Sequence, residues 1–297
     1  MKKIIFTGVA TALITPFKDG NTDFEALGKI IDIQIKNGCD ALVVAGTTGE
    51  AATLSESERL LIFEFCKERT GCRLPLIFGT GTNDTRESIH LAREAERIGA
   101  DGILTVTPYY NKGTDEGVIR HYLSIADATD LPIILYNVPK RTGTDLKISL
   151  IRRLAECERI VGIKEAGDSV DRLTQLAAMS KDLALYSGND SQIYATLALG
   201  GAGVISVASN AIPKQIKAIC ETFKNDGKEA LGMQNELLPF IDALFLETNP
   251  TPIKYAMHLL GHCRNEVRLP LAPACKKTKR AVHDELLKIS NNSDYCI

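Results

Sequence analysis

A chain of 297 residues is longer than one average domain and short of two, and a single α/β barrel with a tail fits that length without a linker. Its 44% hydrophobic and 24% charged content is that of a globular protein with ample core material, which excludes disorder as a global description. Lys+Arg 35 against Asp+Glu 37 leaves a net charge of −2, so no basic field gathers nucleic acid or an anionic membrane, and a small-molecule partner is expected.

Lys2 and Lys3, followed by the apolar stretch Ile4–Ile14, imitate a secretory signal. Thr7, Gly8, Thr11 and Thr15 interrupt the stretch, no convincing cleavage site precedes Pro16, and removal would delete a core strand, so the segment reads as the first strand. From there, short runs rich in Val, Ile, Leu and Ala alternate with segments of helical period. Strands are predicted at 8–15, 41–46, 75–80, 102–107, 132–137, 160–165, 183–187 and 203–208. The runs are apolar throughout, as parallel strands are when both faces are packed.

The intervening helices carry local start and stop signals. Thr22 to Glu25 and Ser55 to Glu58 fit the capping box, and Asp84 to Glu87 offers the same reciprocity. Leu27, Ile31 and Ile35 make one buried stripe, and Asn37-Gly38, Gly99 and Gly200-Gly201 punctuate helix ends. The expected fold class is therefore α/β, a closed (β/α)₈ TIM barrel. A doubly wound open sheet is the alternative, but it ordinarily shows a Gly-x-Gly-x-x-Gly turn after an early strand, which this chain lacks.

Beyond about residue 230 the strand signals stop. Helices are predicted near 228–246, 251–261 and 276–290, with a polar, frayed end at 290–297. The domain reading is a barrel over 1–227 carrying the site and a C-terminal helical extension over 228–297, which either packs on the barrel or carries a subunit contact. The eight cysteines lie far apart, with no Cys-x-x-Cys pair and no zinc-like Cys/His spacing, so reduced thiols in a cytoplasmic protein without a bound metal are expected. No apolar run approaches the ~18 residues of a membrane span.

In such a barrel the functional groups stand at the carboxyl ends of the strands. Lys164 follows Ile160-Val161-Gly162-Ile163 and would project into the mouth. A strand-end lysine is most often merely solvated, but a desolvated amine loses proton affinity and can attack a ketone to form an imine. Tyr136 ends the preceding strand, where a phenol either relays protons or packs the rim. Thr47 and Thr48, set between glycines, suit an anion site, although Gly-Thr turns also serve as plain connections. Arg141, after Val138-Pro139, is either a bidentate carboxylate clamp or a surface arginine. A phosphate-binding barrel would call for a Gly-rich turn after strand eight, whereas Gly201 and Gly203 precede that strand.

Taken in order, Gly46-Thr47-Thr48-Gly49-Glu50, Thr107-Pro108-Tyr109-Tyr110-Asn111, Tyr136-Asn137-Val138-Pro139 with Arg141-Thr142-Gly143, Gly162-Ile163-Lys164-Glu165-Ala166 and Gly203-Val204-Ile205-Ser206-Val207 resemble the dihydrodipicolinate synthase family. This is the group of lysine-dependent, class I aldolase-like barrels that includes N-acetylneuraminate lyase, and the resemblance spans nearly the whole chain. It implies a Schiff-base-forming carbon–oxygen lyase that condenses pyruvate with L-aspartate 4-semialdehyde to 4-hydroxy-tetrahydrodipicolinate on the route to diaminopimelate and lysine. No cofactor is implied beyond the covalent lysine–pyruvate imine.

By the same resemblance Lys164 matches the Schiff-base lysine. Thr47, Tyr136 and Tyr110 match the proton-relay triad, with Tyr110 reaching over from a neighbouring subunit of a homotetramer built as a dimer of dimers. Thr48 and the Thr47 amide match the pyruvate carboxylate site, Arg141 the carboxylate of the semialdehyde, Ile205 a carbonyl near the lysine amine, and Gly188 the pocket wall. Neuraminate lyases usually carry Ser at the position of Thr47 and lack the arginine, so both residues favour the synthase. The alternatives are another 2-keto-acid aldolase of this superfamily and a catalytically silent keto-acid-binding barrel. The latter would have no need for Lys164 beside Tyr136.

A feedback site for lysine in the family matches Ala51, Ala52, Glu56, Arg59, Asn83, Glu87 and Tyr109. Inhibited bacterial forms tend to have His where Glu56 stands. The departures at Glu56 and Arg59 imply weak or absent inhibition.

Overall fold

The computed structural model describes residue 2 and residues 4–291. Among these, eight parallel strands close into a barrel in sequence order: β1 (Gly8–Ala12), β2 (Ala41–Val44), β3 (Leu76–Gly79), β4 (Gly102–Val106), β5 (Ile133–Asn137), β6 (Ile160–Glu165), β7 (Ala184–Ser187) and β8 (Gly203–Ser206), with β8 pairing back onto β1. The seam brings the backbones of Gly8 and Gly203 so close that a Cβ on Gly203, whose φ is +150°, would lie 1.9 Å from the Gly8 carbonyl oxygen. Only glycine fits there.

The strands are buried on both faces because alternate residues serve two cores. Inward-facing Ala10, Val43, Ile77, Leu104, Ile134, Tyr136, Tyr186 and Ile205 fill the barrel. Val9, Leu42, Phe78, Ile103, Leu135 and Ile163 meet the surrounding helices. This is why the strands read as unbroken apolar runs.

Several predicted strands overrun the ladder. Leu13 and Ile14 are as buried as β1 itself; Leu13 N–H still donates to the Val43 carbonyl at 3.0 Å, but Ile14 N–H donates to the Asn210 side chain at 3.0 Å, so hydropathy continues beyond the last strand pairing. The last strand likewise ends at Ser206 before a 3₁₀ turn at Ala208–Asn210.

Helices α1 (Phe24–Lys36), α2 (Glu56–Thr70), α3 (Thr85–Ile98), α4 (Asp115–Ala126), α5 (Ile148–Leu154), α6 (Val170–Ala177), α7 (Ile193–Ala198) and α8 (Pro213–Thr222) follow their strands, with a single turn Pro139–Thr142 after β5. Ser55 and Glu58 form the expected capping box. At α1 the cap is Asp23, which accepts from Ala26 N–H at 3.0 Å, rather than Thr22. Thr22 is already committed to a short antiparallel pairing with Phe17. At α3 Asp84 caps as expected, but its own amide donates to Thr82 Oγ1 at 3.2 Å and not to Glu87. The Lys2 ammonium donates to the carbonyls of Ala155, Cys157 and Ile160, fastening the start of the chain beneath β6.

The C-terminal extension comprises α9 (Gly227–Ala243), α10 (Thr251–Leu259) and α11 (Lys276–Asn291). Ser290, read from sequence as part of a frayed end, belongs to α11, and residues 292–297, including Cys296, lie outside the described residues. The cysteines at 39, 66, 72, 157, 220, 263 and 275 are free thiols. No helix among the described residues is long and apolar enough to cross a membrane.

The extension packs on the barrel and reaches its mouth. Lys254 of α10 is wholly buried, with its ammonium paired to Glu50, donating to the Glu266 carbonyl at 2.8 Å and lying 3.9 Å from the centre of the Phe17 ring. Burial lowers the proton affinity of Lys254, and the Glu50 charge opposes that shift. Arg268 supplies its backbone amide to Glu50 at 3.0 Å and pairs its guanidinium with Glu58. The second oxygen of Glu50 is thereby satisfied, and the loop after β2 is tied to the C-terminal segment.

Candidate active site

Tyr136 and Lys164 are register partners across β5 and β6, and both side chains point into the barrel mouth. Lys164 is 5% exposed, and its Nζ lies 4.5 Å from the centre of the Tyr136 ring. An amine held over a phenol in this way is sheltered from bulk water and has a proton-transfer group beside it.

The next register pair, Asn137 and Glu165, turns the other way. Asn137 Nδ2 donates to both Glu165 oxygens, at 2.9 and 3.0 Å, and Glu165 also accepts from Arg172 Nε at 2.8 Å and Gly167 N–H at 2.7 Å. Because neighbouring residues on a strand face opposite sides, this outward clamp fixes the inward pair.

Two cavities open at the mouth. One is lined by Lys164 together with Thr48, Tyr136, Arg141, Gly188, Asp190 and Asn249, among others. The second contains Thr47, Ala51, Ala52, Arg59 and Tyr109. Tyr136, Arg141, Thr248 and Asn249 line both and join them. Gly188 belongs to the wall for a steric reason: a Cβ there would sit 2.7 Å from Ala166 Cβ and 2.9 Å from the Glu165 carbonyl oxygen.

Asp190, which no sequence motif singles out, is fully buried beside Lys164. Its carboxylate accepts from Ser206 Oγ and from the amides of Val207 and Ala208, at 3.0 and 3.1 Å. Burial pushes this carboxyl above the ordinary range, while Ser206, the two amides and the charge of Lys164 pull it back.

Asn249, in the loop between α9 and α10, was missed altogether. Its Nδ2 donates to Thr48 Oγ1 at 3.0 Å, and its carbonyl accepts from Arg141 Nη2 at 2.9 Å. The only local sign in the sequence is the turn-prone Asn249-Pro250 between two helical patterns.

The remaining sequence-derived residues fall into three groups. Ile205 is wholly buried in the barrel interior among Tyr136, Ala166 and Tyr186. Tyr110 is 91% exposed, with a left-handed φ of +71°, and stands outside both linings. Of the positions matched to a regulatory site, Ala51, Ala52, Arg59 and Tyr109 share a cavity, whereas Glu56, Asn83 and Glu87 lie outside that lining. Glu56 pairs with His90 Nε2 at 2.8 Å, and the Asn83 carbonyl accepts from Asn111 Nδ2 at 2.9 Å. Arg59 donates through Nε and Nη2 to the Ala51 carbonyl, at 3.1 and 2.7 Å.

A sheltered amine, a phenol, a threonine and a guanidinium lining one cavity, with a second threonine in the adjoining one, suit carbonyl chemistry on a carboxylate-bearing ketone. Comparisons with known proteins agree with that chemistry. The chain is 46% identical over 286 residues to the 4-hydroxy-tetrahydrodipicolinate synthase of Alkaliphilus oremlandii (strain OhILAs), covering 96% of this chain and 99% of the relative. It is 42% identical to the enzyme of the same name from Thermotoga maritima, covering 95% and 98%. The crystal structure of dihydrodipicolinate synthase from Thermotoga maritima superposes with a TM-score of 0.94 at 42% identity, covering 96% of this chain and 99% of that one. A structure described as a monomeric dihydrodipicolinate synthase variant gives the same TM-score of 0.94 at 42% identity, covering 96% and 97%. The dihydrodipicolinate synthetase family model matches residues 5–289, and the chain belongs to that family.

Proposed function

We propose that this protein condenses pyruvate with L-aspartate 4-semialdehyde to give 4-hydroxy-tetrahydrodipicolinate, using Lys164 as the Schiff-base residue. The observation that carries the reading is the buried Lys164 amine lying over Tyr136 in a cavity shared with Thr48 and Arg141. The Lys164 nitrogen adds to the pyruvate ketone and water leaves, forming an imine. The protonated imine draws electrons from the neighbouring methyl group. Loss of a methyl proton gives an enamine whose carbon attacks the aldehyde, and the aldehyde oxygen takes up a proton. Tyr136, with Thr47 and Tyr110 of a second copy, carries these protons. The amine of the semialdehyde then displaces Lys164 from the imine carbon, closing the product ring and freeing the enzyme. The imine is the electron sink, so the scheme calls for no metal or organic cofactor.

Thr48 and the Thr47 amide hold the pyruvate carboxylate, Gly188 and Ile205 shape the site around the amine, and Arg141 clamps the semialdehyde carboxylate. The contact between Arg141 and the Asn249 carbonyl supports this assignment by fixing the guanidinium at the junction of the two cavities. Steady-state assays test both the reaction and this role. The protein is expected to consume pyruvate with L-aspartate 4-semialdehyde and not with N-acetylmannosamine. Arg141→Ala is expected to raise KM for the semialdehyde at least about tenfold more than KM for pyruvate, the scale of losing a bidentate charged contact. Equal changes in the two constants would remove the assignment.

The working unit is proposed to be at least a dimer, and a dimer of dimers when complete. Tyr110, exposed and held at a positive φ, presents its ring to a second copy. The barrel is assigned to 1–227 and the helical extension to 228–297, in a cytoplasmic protein. Inhibition by lysine is proposed to be weak or absent. The Arg59 guanidinium lines the corresponding cavity and disfavours a cationic ligand, while Glu56 is engaged with His90. Lysine titrated into the same assay is expected to leave the rate nearly unchanged through the submillimolar range, and half-maximal inhibition within that range would contradict this.

A further inference from the structure

Asn249 is 5% exposed and lines both cavities at the mouth. Two of its three polar atoms in question are accounted for: Nδ2 donates to Thr48 Oγ1 and the backbone carbonyl accepts from Arg141. Its side-chain oxygen Oδ1 is buried without a hydrogen-bond partner among the described residues. We propose that Asn249 Oδ1 receives the ammonium group of the aldehyde substrate, so that Asn249 selects an amino-acid aldehyde over the analogue lacking nitrogen. This deepens the reading of Thr48, Arg141 and Lys164 given above and rests on it.

The orientation of the amide follows from counting protons. A threonine hydroxyl has one proton and two lone pairs. When Thr48 donates that proton to the pyruvate carboxylate, it can only accept from Asn249, so the amide must present its NH₂ to Thr48. Oδ1 is thereby turned away from Thr48 as a free acceptor.

The identity of its donor follows from what the substrates carry. Pyruvate has no N–H or O–H group at neutral pH. The semialdehyde has one strong donor, an ammonium on the same carbon as its carboxylate. A carboxylate gripped by Arg141 brings that ammonium close to whatever anchors Arg141, and the anchor is Asn249 itself. A buried acceptor left unpaired by an analogue is the kind of feature that rejects it strongly. The same contact also places the nitrogen that must later displace Lys164.

The test compares KM for L-aspartate 4-semialdehyde with the inhibition constant of succinic semialdehyde, which has the same carboxylate and aldehyde but no nitrogen. Wild-type protein is expected to favour the amino compound. Asn249→Leu is expected to reduce that preference at least tenfold. Asn249→Asp keeps an acceptor but loses the donor to Thr48, so it is expected to retain the preference within about threefold while KM for pyruvate rises. An unchanged preference in a folded Asn249→Leu protein, or a loss in Asn249→Asp comparable to that expected for leucine, would overturn the proposal. Should the leucine variant fail to fold, the aspartate variant decides alone. Borohydride trapping of pyruvate on the wild-type protein separates the two levels. No trapped adduct means the Schiff-base reading has failed, whereas a trapped adduct with an unaltered preference means only the Asn249 assignment has.

Discussion

Replacing Lys164 by alanine is expected to lower kcat by at least about a thousandfold, the scale on which loss of a covalent catalytic group acts, while leaving the barrel folded. The side chain is cut back at the end of β6, where the outward network of Asn137, Glu165 and Arg172 still fixes the strand. Circular dichroism is expected to be unchanged. Pyruvate is still expected to bind weakly, because the proposed carboxylate site at Thr48 and the Thr47 amide remains. Lys164→Arg is expected to be as inactive as the alanine variant, since a guanidinium keeps its charge and cannot attack a ketone. Residual turnover in either variant within tenfold of wild type would show that another group carries the reaction.

Breaking the ion pair between Lys254 and Glu50 is expected to have the largest effect on stability. Lys254→Met leaves the Glu50 carboxylate buried opposite a thioether, with the Arg268 amide as its remaining donor. Removing one partner of such a pair costs about 3–5 kcal/mol, whereas replacing both with apolar or neutral groups of similar size is often close to neutral. The double variant Glu50→Gln/Lys254→Met is therefore expected to recover much of the loss in urea denaturation. Activity is expected to recover less fully. Glu50 itself sits at a left-handed φ of +56° beside Thr47 and Thr48, and the charge pair holds that turn in place. A Lys254→Met protein destabilised by less than about 1 kcal/mol would show that the pair contributes little.

These two residues also mark how far the sequence could be read. Lys164 is legible because it ends an apolar strand, and barrel geometry converts that position into a place at the mouth. Tyr136 is legible for the same reason, one strand earlier. The helix starts are nearly so, since a cap is a contact within three residues. At Asp23 the signal was misplaced by one residue because the preceding hairpin claims Thr22.

Contacts between distant parts of the chain left no such trace. Asn249 meets Thr48 across 201 positions and Lys254 meets Glu50 across 204, and no local period encodes either meeting. A lysine at position 254 of an amphipathic helix reads as a solvated charge until its neighbours are known. The same holds for Asp190, whose partners Ser206, Val207 and Ala208 come from the following strand end. The role of the C-terminal helices, open between packing and subunit contact in the sequence, includes packing on the barrel and completing its mouth.

The most direct measurement is reduction with borohydride in the presence of pyruvate, followed by mass analysis of the peptide containing residue 164. The expected result is a pyruvate-derived adduct on Lys164, absent without pyruvate and absent in Lys164→Ala. A well-folded protein that acquires no adduct, or acquires it on a different lysine, would contradict it.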